Sequence, residues 1–269
     1  MSRAMTDDHI ELNYELDDFR DPWKGGGELI LLHHGFGKSL KWWTQWVPAL
    51  ARRYRVLRYD VRGCGESSVP PAGAIWSTER LVQDALNLID ELKIDKVHWV
   101  GFESGGLFGM AFAAAYPQRT RSLTTIGTPF ATTSDRQTAL REHLRNIDKH
   151  GIRGWLLDWM KWGDTIVPPG LIEWMLSEME KTPVDVAKAI MNVVVEGGNF
   201  SEQARRVLAP TLIMVGEKDG NCPADGQREL QHHVPNAREV VFIPGVGRSA
   251  YLLMPERCTE QVLGFLESI

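Results

Sequence analysis

The chain has 269 residues, enough for one α/β domain with an insertion rather than two separate domains. Its 43% apolar and 24% charged residues are ordinary for a globular protein, and a net charge of −5 gives no basic footprint for nucleic acid. Cys64, Cys222 and Cys258 are widely spaced, which excludes a disulfide framework and suits a reducing compartment.

The N-terminal stretch MSRAMTDDHIELNYELDD is acidic and has no apolar h-region, so no signal peptide is expected. No apolar run is long enough to span a bilayer, and the expected location is the cytoplasm. HIELNYELDD alternates apolar and polar residues and predicts an outer strand or hairpin arm. GELILLHHG (27–35) is nearly continuous in apolar residues, as a strand buried on both faces would be. LKWWTQWVPALARR has helical spacing, and YRVLRYDVRG (54–63) predicts the next strand. STERLVQDALNLIDELKI (77–94) opens on a capping signal and continues with apolar residues at three- and four-residue intervals.

KVHWVGF (96–102) predicts a strand, SGGLFGMAFAAAYP a small-residue helix, and RSLTTIGTP (121–129) a further strand. PTLIMVGEKD (210–219) and REVVFIPGVG (238–247) predict the last strands, and PERCTEQVLGFLES a final helix. Strands alternating with helices imply right-handed crossovers and a mostly parallel sheet with helices on both faces. Residues 131–207 break the alternation and read as a helical cap inserted into a core of 1–130 and 208–269. Of the ten tryptophans, Trp155, Trp159, Trp162 and Trp174 fall in that insertion. They either pack it onto the core or line an apolar pocket, with Trp155 and Trp159 as the candidate substrate contacts.

VGFESGG (100–106) has the shape of a nucleophile elbow, G-x-S-x-G, with Gly101 and Gly105 in the glycine places. The middle residue is then Glu103, and Ser104 stands one place late. Centring the turn on Ser104 would put Phe102 where the strand and helix need a glycine.

The order of strands and turns resembles the α/β-hydrolase fold over nearly the whole chain, in its branch with a helical cap after the sixth strand. HHGFGKS (33–39) resembles the oxyanion-loop motif, with His34 as the motif histidine. DVRGCGES (60–67) resembles a turn common in this branch, and VGFESGG holds the elbow. GEKDGNCP (216–223) resembles the turn carrying the catalytic acid, Asp219, and IPGVGRSAYLLMPE (243–256) the segment carrying the histidine. Two positions depart from the family. Glu103 replaces the elbow serine, and Arg248 follows the Pro-Gly-x-Gly run where the histidine belongs.

The resemblance implies an oxyanion hole from the backbone N–H groups of Phe36 and Ser104. His34 is expected to order that loop and to lie near substrate, with Trp42 and Trp43 at the entrance and Lys38 as a solvated surface charge. An elbow residue is expected in a strained backbone conformation. A buried Glu103 needs a partner, and Arg248 is the obvious one, with Asp219 on the other side of the same guanidinium. Arginine does not act as an ordinary base, so nothing in the matched positions can release an acyl-enzyme. Glu103 is therefore read as a general base or nucleophile acting on a small, moderately apolar ester, lactone or carbonyl compound. The competing reading is a silent ligand-binding or scaffold protein whose Glu103–Arg248 pair locks the site. Nothing in the sequence suggests a metal or organic cofactor, and the expected partner is a small molecule, with a homodimer left open.

Overall fold

The computed structural model describes residues 2–23, 25–130, 134–163, 167–197 and 200–269; the side chains of 134–137 and 159–163 lie outside the description. The eight strands are β1 (Ser2–Met5), β2 (Glu11–Asp17), β3 (Leu29–His33), β4 (Arg55–Tyr59), β5 (Val97–Phe102), β6 (Thr120–Ile126), β7 (Thr211–Gly216) and β8 (Val241–Ile243). They form one sheet in the order β1-β2-β4-β3-β5-β6-β7-β8. β1 and β2 join antiparallel, and every pairing from β4 to β8 is parallel. β3 and β5 are buried at every residue, which is why they read as unbroken apolar runs rather than alternating ones.

Two regions differ from the sequence expectation. The first strand, SRAM, is short and polar enough to carry no strand signal of its own, and it is held by pairing with β2. LKWWTQWVPALARR forms not one helix but a 3₁₀ turn at Leu40–Trp43 and the short α1 (Val47–Leu50). Burial of Trp42, Trp43 and Trp46 in three different contacts outweighs regular helical hydrogen bonding there.

The crossover helices cover the sheet. α2 (Thr78–Glu91) starts where Ser77 accepts a hydrogen bond from the Arg80 amide at 3.1 Å. It buries Leu81, Val82, Ala85, Leu88 and Ile89 on one stripe. α3 (Ser104–Ala115) is apolar all round and almost wholly buried, as its alanines and glycines allow. Four helices follow between β6 and β7: α4 (Ser134–Gly163), α5 (Pro169–Met179), α6 (Val184–Glu196) and α7 (Ser201–Arg206). α4 is broken at Gly151, whose φ of 66° and ψ of −178° lie outside the helical region. α7 packs on α3 and on α8 (Ala224–His233), while α4 packs on α5 and α6. α9 (Ala250–Leu253) and α10 (Pro255–Leu266) close the chain. Among the described residues no helix is long and apolar enough to cross a membrane.

The C-terminal ends of the parallel strands lie at one edge of the sheet. The turn after β3 carries 34–39, that after β5 carries Glu103, that after β7 carries Asp219, and that after β8 carries Arg248. Open α/β sheets place their ligand sites at this edge.

Candidate active site

The elbow is centred on Glu103. Its φ of 56° and ψ of −118° are strained for a residue with a side chain. A Cβ on Gly101 would overlap the carbonyl of Gly105, and one on Gly105 would lie 2.5 Å from the carbonyl of His33. Strand, turn and helix are thus packed backbone to backbone, and only Glu103 can project from the apex.

Its carboxylate sits between two cations. Oε1 lies 2.9 Å from Arg248 Nη2, and Oε2 accepts from Lys38 Nζ at 3.1 Å. Arg248 is itself buried, with Nη1 3.7 Å from Asp219 Oδ2 and donating to the Gly127 carbonyl at 3.4 Å. Asp219 is fixed by its other oxygen, which accepts the amides of Asn221 and Cys222 at 2.9 and 3.1 Å. The Phe102 ring lies under both cations, 5.4 Å from Lys38 Nζ and 5.6 Å from the Arg248 guanidinium carbon. Burial pushes the Glu103 carboxyl up, but Lys38 and Arg248 together pull it below the ordinary carboxylate value. Burial pulls the Lys38 ammonium below its ordinary value against the opposing pull of Glu103. Arg248, surrounded by Glu103, Cys222 and Asp219, stays charged.

Lys38 is the main correction to the sequence reading. It is 4% exposed and not a surface charge. Its ammonium also donates to the Phe36 carbonyl at 3.3 Å and lies over Trp42, so the oxyanion-type loop and the elbow share one cation. Nothing local in GKSLKWW announces this, because the partner is 65 residues away.

Glu103 lines a cavity of about 580 Å³. Phe36, Ser104 and Arg248 share its wall, and Leu107, Phe130, Leu140, Trp155, Met191 and Val194 make most of it apolar. Among the described residues, no backbone carbonyl accepts the amide of Phe36 or of Ser104. His143, from α4, also lines the cavity.

The remaining sequence candidates fall elsewhere. His34 is buried beside the cavity rather than on it; Nδ1 bonds the Gly35 carbonyl at 2.8 Å and Nε2 accepts the Val61 amide at 3.0 Å. It orders the loop and does not reach the ligand space. Trp42 and Trp43 are 1% and 0% exposed and do not line the cavity either. Trp42 packs on Trp174, and Trp43 on Trp46 and Tyr251. Trp155 does line the cavity, whereas the side chain of Trp159 lies outside the described residues. Cys222 is buried against Gly127 and Arg248, and burial pushes its thiol well up, so it is a packed side chain.

Sheet order, elbow and loop placement define an α/β-hydrolase fold. A family model described as alpha/beta hydrolase fold matches residues 28–150. The chain is 29% identical over 244 residues to the dihydrolipoyllysine-residue acetyltransferase component of the acetoin cleaving system of Pseudomonas putida, covering 90% of this chain and 64% of that one. It is 35% identical over 219 residues to bifunctional epoxide hydrolase 2 of Mus musculus, covering 81% of this chain and 37% of that one. The chain thus spans less than two thirds of the length of either relative. The crystal structure of the enol-lactonase from Burkholderia xenovorans LB400 matches with a TM-score of 0.83 at 24% identity, covering 99% of this chain and all of that one; this likeness shows the fold. The chain has the α/β-hydrolase fold.

Proposed function

We propose that the protein hydrolyses a small, moderately apolar ester or lactone, with Glu103 as a general base on water and the amides of Phe36 and Ser104 as the oxyanion hole. The observation that carries this reading is that the Glu103 carboxylate and those two residues share one largely apolar cavity of ligand size. A site closed by its own ion pair would look different. There the ion pair would fill the space, whereas here Arg248 meets Glu103 at 2.9 Å and the cavity remains.

Lys38 and Arg248 meet the Glu103 carboxylate, whose acceptor sites outnumber these two contacts and can also take water. Glu103 takes a proton from that water, and the water oxygen bonds to the carbonyl carbon. The carbonyl electron pair moves onto its oxygen, toward the two amides. On collapse the C–O bond breaks, and the leaving oxygen takes the proton back from Glu103. A carboxylate held ionised by Lys38 and Arg248 is a weak base, so the reading favours activated substrates such as strained lactones. The nucleophilic variant is disfavoured, because Arg248 occupies the place from which a base would release a covalent intermediate. We assign residues 131–207 as the cap that selects the substrate.

The test is turnover of a panel of p-nitrophenyl esters and small lactones by the protein and by Glu103→Gln. We expect the variant to lose about 10²- to 10⁴-fold. Equal turnover by both would remove Glu103 from the chemistry, and none by the unmodified protein would leave a silent binding protein.

A further inference from the structure

His143 of α4 lines the cavity and takes no part in the mechanism above. His143 and Trp155 stand on the two halves of α4, twelve positions apart. On an unbroken helix they would be separated by about 18 Å along the axis. The break at Gly151 folds one half back on the other, and Trp155 Nε1 then donates to His143 Nδ1 at 3.1 Å. Asn146 and Asp158 brace the same fold-back, with Asn146 Nδ2 3.0 Å from Asp158 Oδ2. The Trp155 ring is held in turn by the edge of Phe36, at a centroid distance of 5.0 Å.

This pairing fixes the imidazole tautomer. An indole N–H can only donate, so Nδ1 is the bare nitrogen and the proton of the neutral ring sits on Nε2. The indole is the ring's hydrogen-bond partner among the described residues, and the ring lines the cavity. Burial pulls His143 below its ordinary value and Arg248 adds to this, while Glu103, Glu142 and Asp158 oppose it. The ring is therefore neutral near pH 7, and what it can offer a ligand is an N–H.

We infer that His143 is a second oxygen-recognition group, a neutral imidazole whose Nε2–H donates to the alkoxy or ring oxygen of the substrate while the carbonyl oxygen occupies the amides of Phe36 and Ser104. The inference rests on the ester or lactone reading above and narrows it to substrates that carry their leaving oxygen on the helical side. No proton is lost from His143. It stabilises charge on the departing oxygen until Glu103 returns the proton taken from water. Trp155 is the positioning residue, since it acts through His143.

Two experiments test this. In long-range ¹H–¹⁵N spectra of the ¹⁵N-histidine-labelled protein at pH 7, His143 should show the neutral Nε2–H form, and Trp155→Phe should mix the two tautomers. A charged ring or an Nδ1–H form in the unmodified protein overturns the inference whatever the activity. In kinetics, His143→Phe should lower kcat about 10- to 100-fold for alkyl esters and lactones, but less than about threefold for p-nitrophenyl esters, whose leaving group is stable as an anion. His143→Gln, which keeps an N–H donor, should recover part of the loss. Equal losses on both substrate classes, or no loss, with Glu103→Gln still impaired, would overturn this inference alone. No turnover of either class by the unmodified protein would overturn it together with the hydrolytic reading.

Discussion

Two buried charge clusters in this molecule are built in opposite ways. Around Arg62, two carboxylates each form a fork. Asp84 takes Nε and Nη2 at 2.5 and 2.6 Å, and Asp8 takes Nη1 and Nη2 at 2.9 Å each. Arg62 is fully buried, Arg80 closes the far side of Asp84 at 3.0 Å, and the cluster ties the N-terminal hairpin to α2. Around Glu103, by contrast, two cations converge on one carboxylate, and that carboxylate keeps 12% of its side-chain surface. That residual surface is on a cavity. The first arrangement is what a structural lock looks like in this chain. The second sets a partly exposed carboxylate on a cavity at a strained turn, which is where functional strain is usually kept.

The comparison can be broken at its structural end first. Arg62→Ala leaves Asp84 buried without its bidentate partner and should cost about 3–5 kcal/mol in urea unfolding, with turnover per folded molecule unchanged. If the substitution changes turnover and not stability, the two clusters have been assigned the wrong way round. Acid should act next. His33 and His34 are fully buried, and burial pulls them down to about 3 and about 4. Below pH 6.5 the unfolded chain takes up protons that the folded chain refuses, so stability falls as pH drops, by up to about 1.4 kcal/mol per pH unit for each ring. Asp60, pushed up by burial, offsets part of this. A urea midpoint at pH 5 equal to that at pH 7 would contradict the neutral, buried histidines. The smallest effect expected is Lys38→Met. It removes one of the two cations that hold Glu103 ionised, so the Glu103 pKa rises and the acid limb of the turnover profile moves to higher pH. An acid limb that stays put would mean that Glu103 does not set it.

The readable and unreadable parts of the site separate by the range of the forces that make them. Gly101 and Gly105 mark the elbow in sequence because their steric demand is local, and they place Glu103 at its apex without reference to anything distant. Asp219 and Arg248 were legible because each ends a strand-to-loop motif, and the sheet brings all such ends to one edge. Lys38 was not legible, since its burial depends on a carboxylate contributed by another turn. Trp42 and Trp43 misled for the same reason. They follow the loop in sequence, but their pockets are made by Trp174, Trp46 and Tyr251, and these draw the rings away from the cavity. His143 carries no sequence signal, because only the break at Gly151 brings Trp155 to it.

The most direct test of the central claim, that Glu103 serves an open site rather than plugging one, is a crystal structure of Glu103→Gln with a slowly hydrolysed lactone. The account predicts the lactone inside the cavity, with its carbonyl oxygen about 2.7–3.1 Å from the amides of both Phe36 and Ser104. A lactone bound elsewhere, or a cavity closed by the Arg248 side chain, would contradict it.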